Sequence, residues 1–539
     1  MRKAKHVALI SAVVFTAVAC VYWDTWDKLF VQRSGWLMGD GGYSIALPPV
    51  GAPKGTPGGG SGGGRHYFLF GDSWVWNPGF TQPSSHQYTH GELVGFSNAY
   101  GLSGNSAAIV KYASNPWTPT SIDFFARERN GDCDGTFSNC PVVKLKDPHT
   151  ASKVRDAAGF QPRRVTSDAH QWPRAAIYIE NPATGLPANY QAPAPINVNE
   201  PFVAMGFGEV GGQGRWGFNY ATNITAEIES WQFTAGQKFQ PVVGTGVTQG
   251  NWGGTFSIDW GAALVHAPGD NKTLIYGRRL GLGQIDAVLA VAWPSASLPD
   301  PNRWFYLYKA GKQGCPSSGP CWGFVPTSDV MVDDLHPVAE KIFNDFSVDY
   351  VCHNEPAGPA GPAVNACAFV MVHGTYPENV EPGGPTPALD PNCKPVTGLV
   401  ANPQFPSLAT VNARWGMVRT TADPWHFPAA RHGSEGTTRS TYLADQLIHP
   451  AWDRELLCDS AKAKRRMVRQ LRGQAGIREP GTLYLSWYIG IWEPEPNEHE
   501  HLWVNNAPLV ESERKSNMRF GKFPLSYVRP WCTAQGTCP

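Results

Sequence analysis

Two aspartates near the start of the chain carry its strongest chemical signal. Asp40 stands in Trp36-Leu37-Met38-Gly39-Asp40-Gly41-Gly42-Tyr43-Ser44, and Asp72 in Tyr67-Phe68-Leu69-Phe70-Gly71-Asp72-Ser73-Trp74-Val75. Each follows a glycine beside an apolar run. Between the runs lies the tract 51–64, GAPKGTPGGGSGGG, which reads as a long, flexible hairpin tip. Paired across one hairpin, the two carboxylates would converge. Hydrolysis of a glycosidic bond needs such a pair: one carboxyl protonates the leaving oxygen, and the other attacks or activates water. Desolvation and like charge push the two pKa values apart, which assigns acid and base. The competing reading makes both aspartates turn residues that bond local backbone N–H groups.

Other constellations weigh less. Asp259 or Asp349 would serve as a third acid that orients the substrate or tunes the pair; the alternative for each is a satisfied turn or channel aspartate. His449 is a substrate or metal ligand in one reading and a structural histidine in the other. The stretch 493–501, EPEPNEHEH, reads as an exposed loop rather than a metal site. P-loop and H-E-x-x-H motifs are absent from the sequence. The G-x-S-x-G match at 59–63 lies inside the glycine tract, without the strand-to-helix turn that a nucleophile elbow needs. Gly206-Phe207-Gly208 is weak as a phosphate loop, because no helix follows. No cofactor is expected. A structural calcium ion in a central channel is left open, with no EF-hand-type loop to support it.

The elements that must position these residues are short strands. Gly (58), Pro (47) and Trp (21) are abundant among 539 residues, and charged residues make up only 16%. Such a composition favours turns and β-structure over helices. Apolar runs occur at 66–70, 175–179, 202–207, 273–276, 304–308, 368–372 and 482–488. Helical spacing is rare; the best candidate is 459–474, with Ala461, Met467, Val468 and Leu471 on a stripe and a basic opposite face. A short repeat recurs, a polar turn with a Trp that opens the next strand: Ser114-Asn115-Pro116-Trp117, Glu229-Ser230-Trp231, Asp300-Pro301-Asn302-Arg303-Trp304 and Ala422-Asp423-Pro424-Trp425. Repeated strand–turn–Trp units suit blades that bury their faces on one another. The expectation is an all-β, five-bladed β-propeller with long loop insertions, one domain over 30–539.

Charge and cysteines bound the setting. Lys+Arg and Asp+Glu are both 44, so no basic excess marks a nucleic-acid surface. Arg2, Lys3 and Lys5 precede an uncharged apolar stretch at 7–19 that ends in Ala17-Val18-Ala19. This reads as an export signal over 1–19, or a lipoprotein signal if Cys20 is lipidated, or an uncleaved anchor. The only membrane contact expected is through that N-terminal lipid or anchor. Beyond Cys20, ten cysteines remain of 11. Near pairs suggest Cys133–Cys140, Cys315–Cys321, Cys352–Cys367 and Cys532–Cys538, leaving Cys393–Cys458. Spacing alone does not fix connectivity. Disulfides imply an oxidising compartment: secreted, periplasmic or cell-surface.

The segments WLMGDGGYSIALP and HYFLFGDSWV resemble the first blade of five-bladed propellers of the arabinanase and levansucrase superfamily. They are most similar to families first described as domains of unknown function, some of which are endo-D-arabinanases. There a G-D-G-[AG]-Y-S strand is followed by an L-F-G-D-[ST] strand, matched by 39–44 and 69–73. Gly104-Asn105-Ser106, Gln171-Trp172-Pro173, Ile258-Asp259-Trp260-Gly261-Ala262-Ala263, His449-Pro450 and 483–488 resemble later pieces in order. The resemblance implies that Asp40 and Asp72 are the catalytic pair. It implies that Asn105, Trp172, Asp259 and His449 line a central pocket that binds a polysaccharide or oligosaccharide. The glycine tract is longer than the family norm, and 346–349 departs from a plainer Ser-Val strand. Two functions follow: a glycosidase acting on a furanose polymer such as arabinan, or a non-catalytic propeller that binds carbohydrate or protein.

Overall fold

A computed structural model describes residues 21–22, 26, 29–30, 36–58, 63–75, 106–113, 119–128, 142–144, 154–155, 170–186, 188–193, 196–210, 215–240, 258–267, 271–280, 285–340, 342, 346–355, 364–374, 400–402, 405–410, 416–421, 423–427, 433–435, 438–442, 466–473, 482–491 and 518–524, in parts of several strands by the backbone alone.

Strand β1 (Val21–Tyr22) comes first and is used last. The first sheet orders β2 (Trp36–Leu47), β3 (Gly64–Val75), β4 (Ser106–Tyr112), β5 (Pro119–Glu128) and β6 (Val142–Lys144), with β7 (Val154–Arg155) also on β5. The second runs β8 (His170–Ile179), β9 (Phe202–Val210), β10 (Trp216–Thr222) and β11 (Gln232–Thr234), with β12 (Lys238–Phe239) on β10. The third holds β13 (Ile258–Ala267), β14 (Lys272–Leu280), β15 (Ile285–Ala292), β16 (Trp304–Tyr308) and β17 (Cys321–Phe324), with β18 (Pro337–Ala339) on β15. In the fourth, β19 (Phe346–Glu355) and β20 (Val364–Gly374) precede a separate hairpin, β21 (Val400–Asn402) with β22 (Phe405–Thr410). That sheet continues with β23 (Gly416–Thr421), and β24 (Gly433–Glu435) ends it beyond β25 (Thr438–Tyr442). The fifth contains β26 (Arg466–Gly473), β27 (Thr482–Ile491) and β28 (Met518–Pro524), and β1 pairs antiparallel with β28 at its edge. The fold is all-β and dominated by antiparallel sheets. The strands that lead the five sheets touch in order, β2 to β8, β8 to β13, β13 to β19, β19 to β26, and β26 back to β2.

Burial explains the apolar runs. In β14, Leu274, Ile275 and Tyr276 are all buried, and they serve opposite faces. Ile275 packs with Trp216, Trp260 and Trp304 between the second and third sheets. Leu274 and Tyr276 pack with Phe346 and Met371 between the third and fourth. A third core joins Tyr67 and Leu69 of the first sheet to Val203 and Met205 of the second. A strand buried on both faces has no polar side to show, so its sequence is a continuous apolar run. The other face of the first sheet takes the N-terminal segment. Fully buried Phe30 meets Phe68 edge-on at 5.2 Å between ring centroids, and fully buried Trp26 meets His66 edge-on at 5.7 Å. Trp36 stacks on Phe124 at 4.3 Å and donates through Nε1 to Ser106 Oγ at 3.0 Å.

Residues 466–473 form β26, not the helix expected over 459–474, whose remaining residues lie outside the described ones apart from this strand. A register shift between Arg469 and Arg472 explains the misreading. Arg466, Arg469 and Arg472 recur every three residues in the sequence, which imitates a helical face, and the bulge lets the strand depart from strict two-residue alternation there. Among the Trp echoes, Trp304 opens β16 and is buried, and Trp231 precedes β11 and is buried. Trp425 opens no strand and is exposed; Trp117 lies outside the described residues. Cys315 and Cys321 form a disulfide, with Cα atoms 5.4 Å apart. Cys367 is disulfide-bonded, and Cys352 stands opposite it in the β19–β20 register. The remaining cysteines lie outside the described residues, as do 377–391 and 493–501.

Arg65, 2% exposed, fastens the first sheet to the second. Its guanidinium donates to Pro48 O at 2.9 Å, to Ala226 O at 2.7 Å and to Ile224 O. Burial pushes its pKa down to about 10, opposed by Glu227, so it stays charged at neutral pH. Arg65→Met strands three carbonyls and is expected to cost about 3 kcal/mol or more in urea unfolding. His266 lies 3.4 Å from Ser295 Oγ through Nδ1, and burial holds its pKa below the usual 6.5. His336 is lowered too, by burial first and then by His426, Lys309 and Arg279. With folded pKa values below the unfolded ones, the native state binds fewer protons. Stability is therefore full above pH ~6.5 and falls as pH drops through that value. Melting temperature should decline between pH 7 and 5, with a shallower decline in His266→Gln.

Candidate active site at the heads of the leading strands

The leading strands of three successive sheets break register near their starts. The shifts fall between Gly39 and Tyr43 in β2, between Pro173 and Ala176 in β8, and between Trp260 and Ala263 in β13. By contrast, β19 runs in unbroken register with β20 from Phe346 to Glu355. Bulges bend a strand and re-aim its side chains, and they gather beside functional sites. Gly42 (φ 65°) and Gly261 (φ 83°) sit inside two of these breaks, in the left-handed region that glycine enters without a Cβ clash.

In β2 and β3, Gly39 pairs with Ser73 and Gly41 with Phe70. Asp40 thus stands across a single irregularity from Gly71 and Asp72. The backbone brings both expected acids to one bulge. Trp172 is placed by its backbone on β8, opposite Gly208 of β9. Asp349 lies on β19, where its Oδ1 accepts from the N–H of its neighbour Tyr350 at 2.8 Å. Asn105 and His449 lie outside the described residues.

Asp259, 1% exposed, is the best-defined acid of the group. Arg278, opposite it in the β13–β14 register, donates through Nη2 to Oδ2 at 2.7 Å. Arg174 of β8 brings Nε within 2.7 Å of the same oxygen. Asp259 Oδ1 has no hydrogen-bond partner among the described residues. A methyl group at Gly208 would meet Arg174 Nη2 at 3.1 Å and Asp259 Oδ1 at 3.3 Å, so the glycine admits the cluster. Beside it, Asn219 Nδ2 donates to Gln171 Oε1 at 3.4 Å, and Asn219 Oδ1 accepts from Gly236 N at 3.2 Å. The cluster ties the head of β8 to the head of β13.

Arg174 and Arg278 were not among the residues singled out from sequence. The available signal was the pair Arg278-Arg279 ending an apolar strand. Its alternation separates the two: Arg278 reaches Asp259, whereas Arg279 reaches Asp286 Oδ2 at 2.8 Å and Leu335 O at 3.1 Å. Among the described residues no group of three or more His, Cys, Asp or Glu is placed to hold a metal ion, and no helix is long and apolar enough to cross a membrane.

Comparison with protein-family models, with curated proteins and with solved structures finds no match to this chain.

Asp259→Asn keeps the side-chain shape and removes the buried carboxylate charge on which Arg174 and Arg278 converge. It should lower the unfolding free energy by about 3–5 kcal/mol in urea.

Proposed function

We propose that this chain is an exported glycoside hydrolase on a five-bladed β-propeller, with Asp40 and Asp72 as its acid pair. The observation that carries the reading is the shared bulge of β2 and β3, which opposes Asp40 to Gly71 and Asp72. Directly opposed residues on antiparallel strands have Cα atoms about 4.5–5.5 Å apart. Carboxyl groups on either side of this irregularity would serve a retaining enzyme at a separation of roughly 5–5.5 Å, or an inverting one at roughly 6.5–9.5 Å. The propeller reading is supported by five sheets in chain order, by leading strands in cyclic contact and by β1 entering the last sheet. The disulfide Cys315–Cys321 supports an oxidising compartment. A furanose-containing polysaccharide such as arabinan is the proposed substrate, from the resemblance of 39–44 and 69–73.

The test is reducing-end release from purified arabinan, arabinogalactan and other glycans. Wild type should release ends, and Asp40→Asn and Asp72→Asn should each lose about a hundredfold or more while melting normally. Cleavage that survives both substitutions would overturn the pair. Binding without cleavage in all three proteins would make this a carbohydrate-binding propeller.

A further inference from the structure

The third sheet carries more aromatic surface than its neighbours cover. Its face toward the fourth sheet holds Leu289, Val291 and Leu307, buried with Phe346, Met371 and Phe427. Further out on that face, aliphatic side chains give way to rings. Phe305 stands opposite Phe324, and Leu307 opposite Trp322, in the β16–β17 register. Val291 stands opposite Phe305. Trp293, two residues on, continues the same face. Ring centroids are 6.5 Å apart for Trp293–Phe305, 5.6 Å for Phe305–Phe324 and 6.2 Å for Trp322–Trp425. Trp293 and Phe324 are each 56% exposed and Trp425 is 39% exposed. Among the described residues, every exposed large aromatic belongs to this row.

The row is held in place and has a polar rim. Tyr276 Oη donates to Pro424 O at 3.1 Å and Phe427 N donates to Val338 O at 2.8 Å, so the turn bearing Trp425 is anchored on both sides. Asp423 Oδ1 accepts from Trp425 N at 3.3 Å, which sets a carboxylate beside that ring. At the other end Lys272 Nζ lies 5.1 Å from the centre of the Trp293 ring.

The geometry points to a second carbohydrate site here, a surface subsite for a short stretch of neutral polysaccharide stacked on Trp293, Phe324 and Trp425. The choice of a glycan rests on the proposed function; the site is separate from it, on the outer strands of the third sheet and the turn after β23 rather than on β2 and β3. Two features favour sugar over protein. First, the aliphatic residues of this face are buried, and what remains outside is ring surface. The C–H faces of a sugar pack on such rings while its hydroxyls reach groups like Asp423 and Lys272. Second, a ring side chain offers about 150–250 Å² in all. At their exposures the three rings therefore offer roughly 230–380 Å² together, against about 800 Å² per partner for a stable protein interface. That area suits a few sugar residues. A site that grips polymer away from the cleavage point raises the local concentration of chain at the acid pair.

The experiment is electrophoresis of the full chain in native gels containing soluble arabinan or arabinogalactan. The proteins are wild type, Asp40→Asn, Trp293→Ala/Phe324→Ala, Trp425→Ala and Trp293→Tyr. Wild type and Asp40→Asn should be retarded alike. The double variant and Trp425→Ala should need about tenfold more polysaccharide for equal retardation, with unchanged melting, and Trp293→Tyr should stay close to wild type. In the hydrolysis assay the two alanine variants should lose rate on polymer and keep it on short oligosaccharides. Retardation that is absent in wild type, or unchanged in the alanine variants, overturns the subsite. So does a dimer in size-exclusion chromatography that these substitutions dissolve, since the row would then be a protein interface. Retardation that depends on the rings without any cleavage leaves the subsite standing and sinks the hydrolase. Cleavage that depends on the aspartates, with ring-independent retardation, does the reverse.

Discussion

The second and third sheets of this protein each have two faces to bury, and a neighbouring sheet covers each of them. In β9, Phe202 and Ala204 face one core while Val203 and Met205 face another. In β16, Trp304, Tyr306 and Tyr308 face one core, and Leu307 faces the other. Fully burying each large side chain is worth about 1.5–3 kcal/mol. The second and third sheets are consequently inner layers, with no polar face to turn to water. Because the leading strands touch in a cycle, the first sheet too has a second face to cover. At the first sheet the cover includes Trp26 and Phe30, brought by a short segment rather than by a strand. The positions of the candidate site follow from the same requirement. Sheets packed face to face bring their leading strands side by side, and the breaks in β2, β8 and β13 fall on those strands.

Charge is scarce in the chain, and buried charge is used to join elements. Arg65 gathers carbonyls from two connections. Arg419, fully buried, donates through Nε to His373 Nε2 at 2.9 Å and through Nη2 to Glu340 O at 2.9 Å. A guanidinium has five donors in a fixed fork, so it satisfies several carbonyls at once where a lysine would satisfy fewer. Arg174 and Arg278 differ, because their partner is a carboxylate. Two cations converging on Asp259 Oδ2 hold its side chain in one direction, beside the Gly208 backbone.

Much of the fold was legible in residue order. The apolar runs at 66–70, 175–179, 202–207, 273–276, 304–308, 368–372 and 482–488 all lie within strands. At 202–207 and 273–276 their continuity, without alternation, goes with burial on both faces. The Cys315–Cys321 bond was legible because a sequence separation of 6 leaves a short loop to close. What was not legible depends on register. The bulge in β26 made a strand read as a helix. Asp300-Pro301 and Asp423-Pro424 look alike, yet Trp304 is fully buried and Trp425 is 39% exposed. The first enters a strand between two sheets, and the second stays in a turn beyond the sheet edge. Asp259 was visible as a candidate. Its arginines were not, because one comes from the adjacent strand and the other from a different sheet.

The pairing of Val21 and Tyr22 with Lys522 and Gly521 sets an order of events. Almost the whole described chain separates these partners, so their contact closes a very long loop, which is slow to form however little it adds to the entropy per residue. During synthesis the first strand emerges early and has nothing to pair with until β28 has been made. Two residues then wait, through the assembly of the sheets between, as an unpaired edge. The fifth sheet can be completed only after translation of β28 is over, which leaves the chain unfinished in shape for as long as it is unfinished in length.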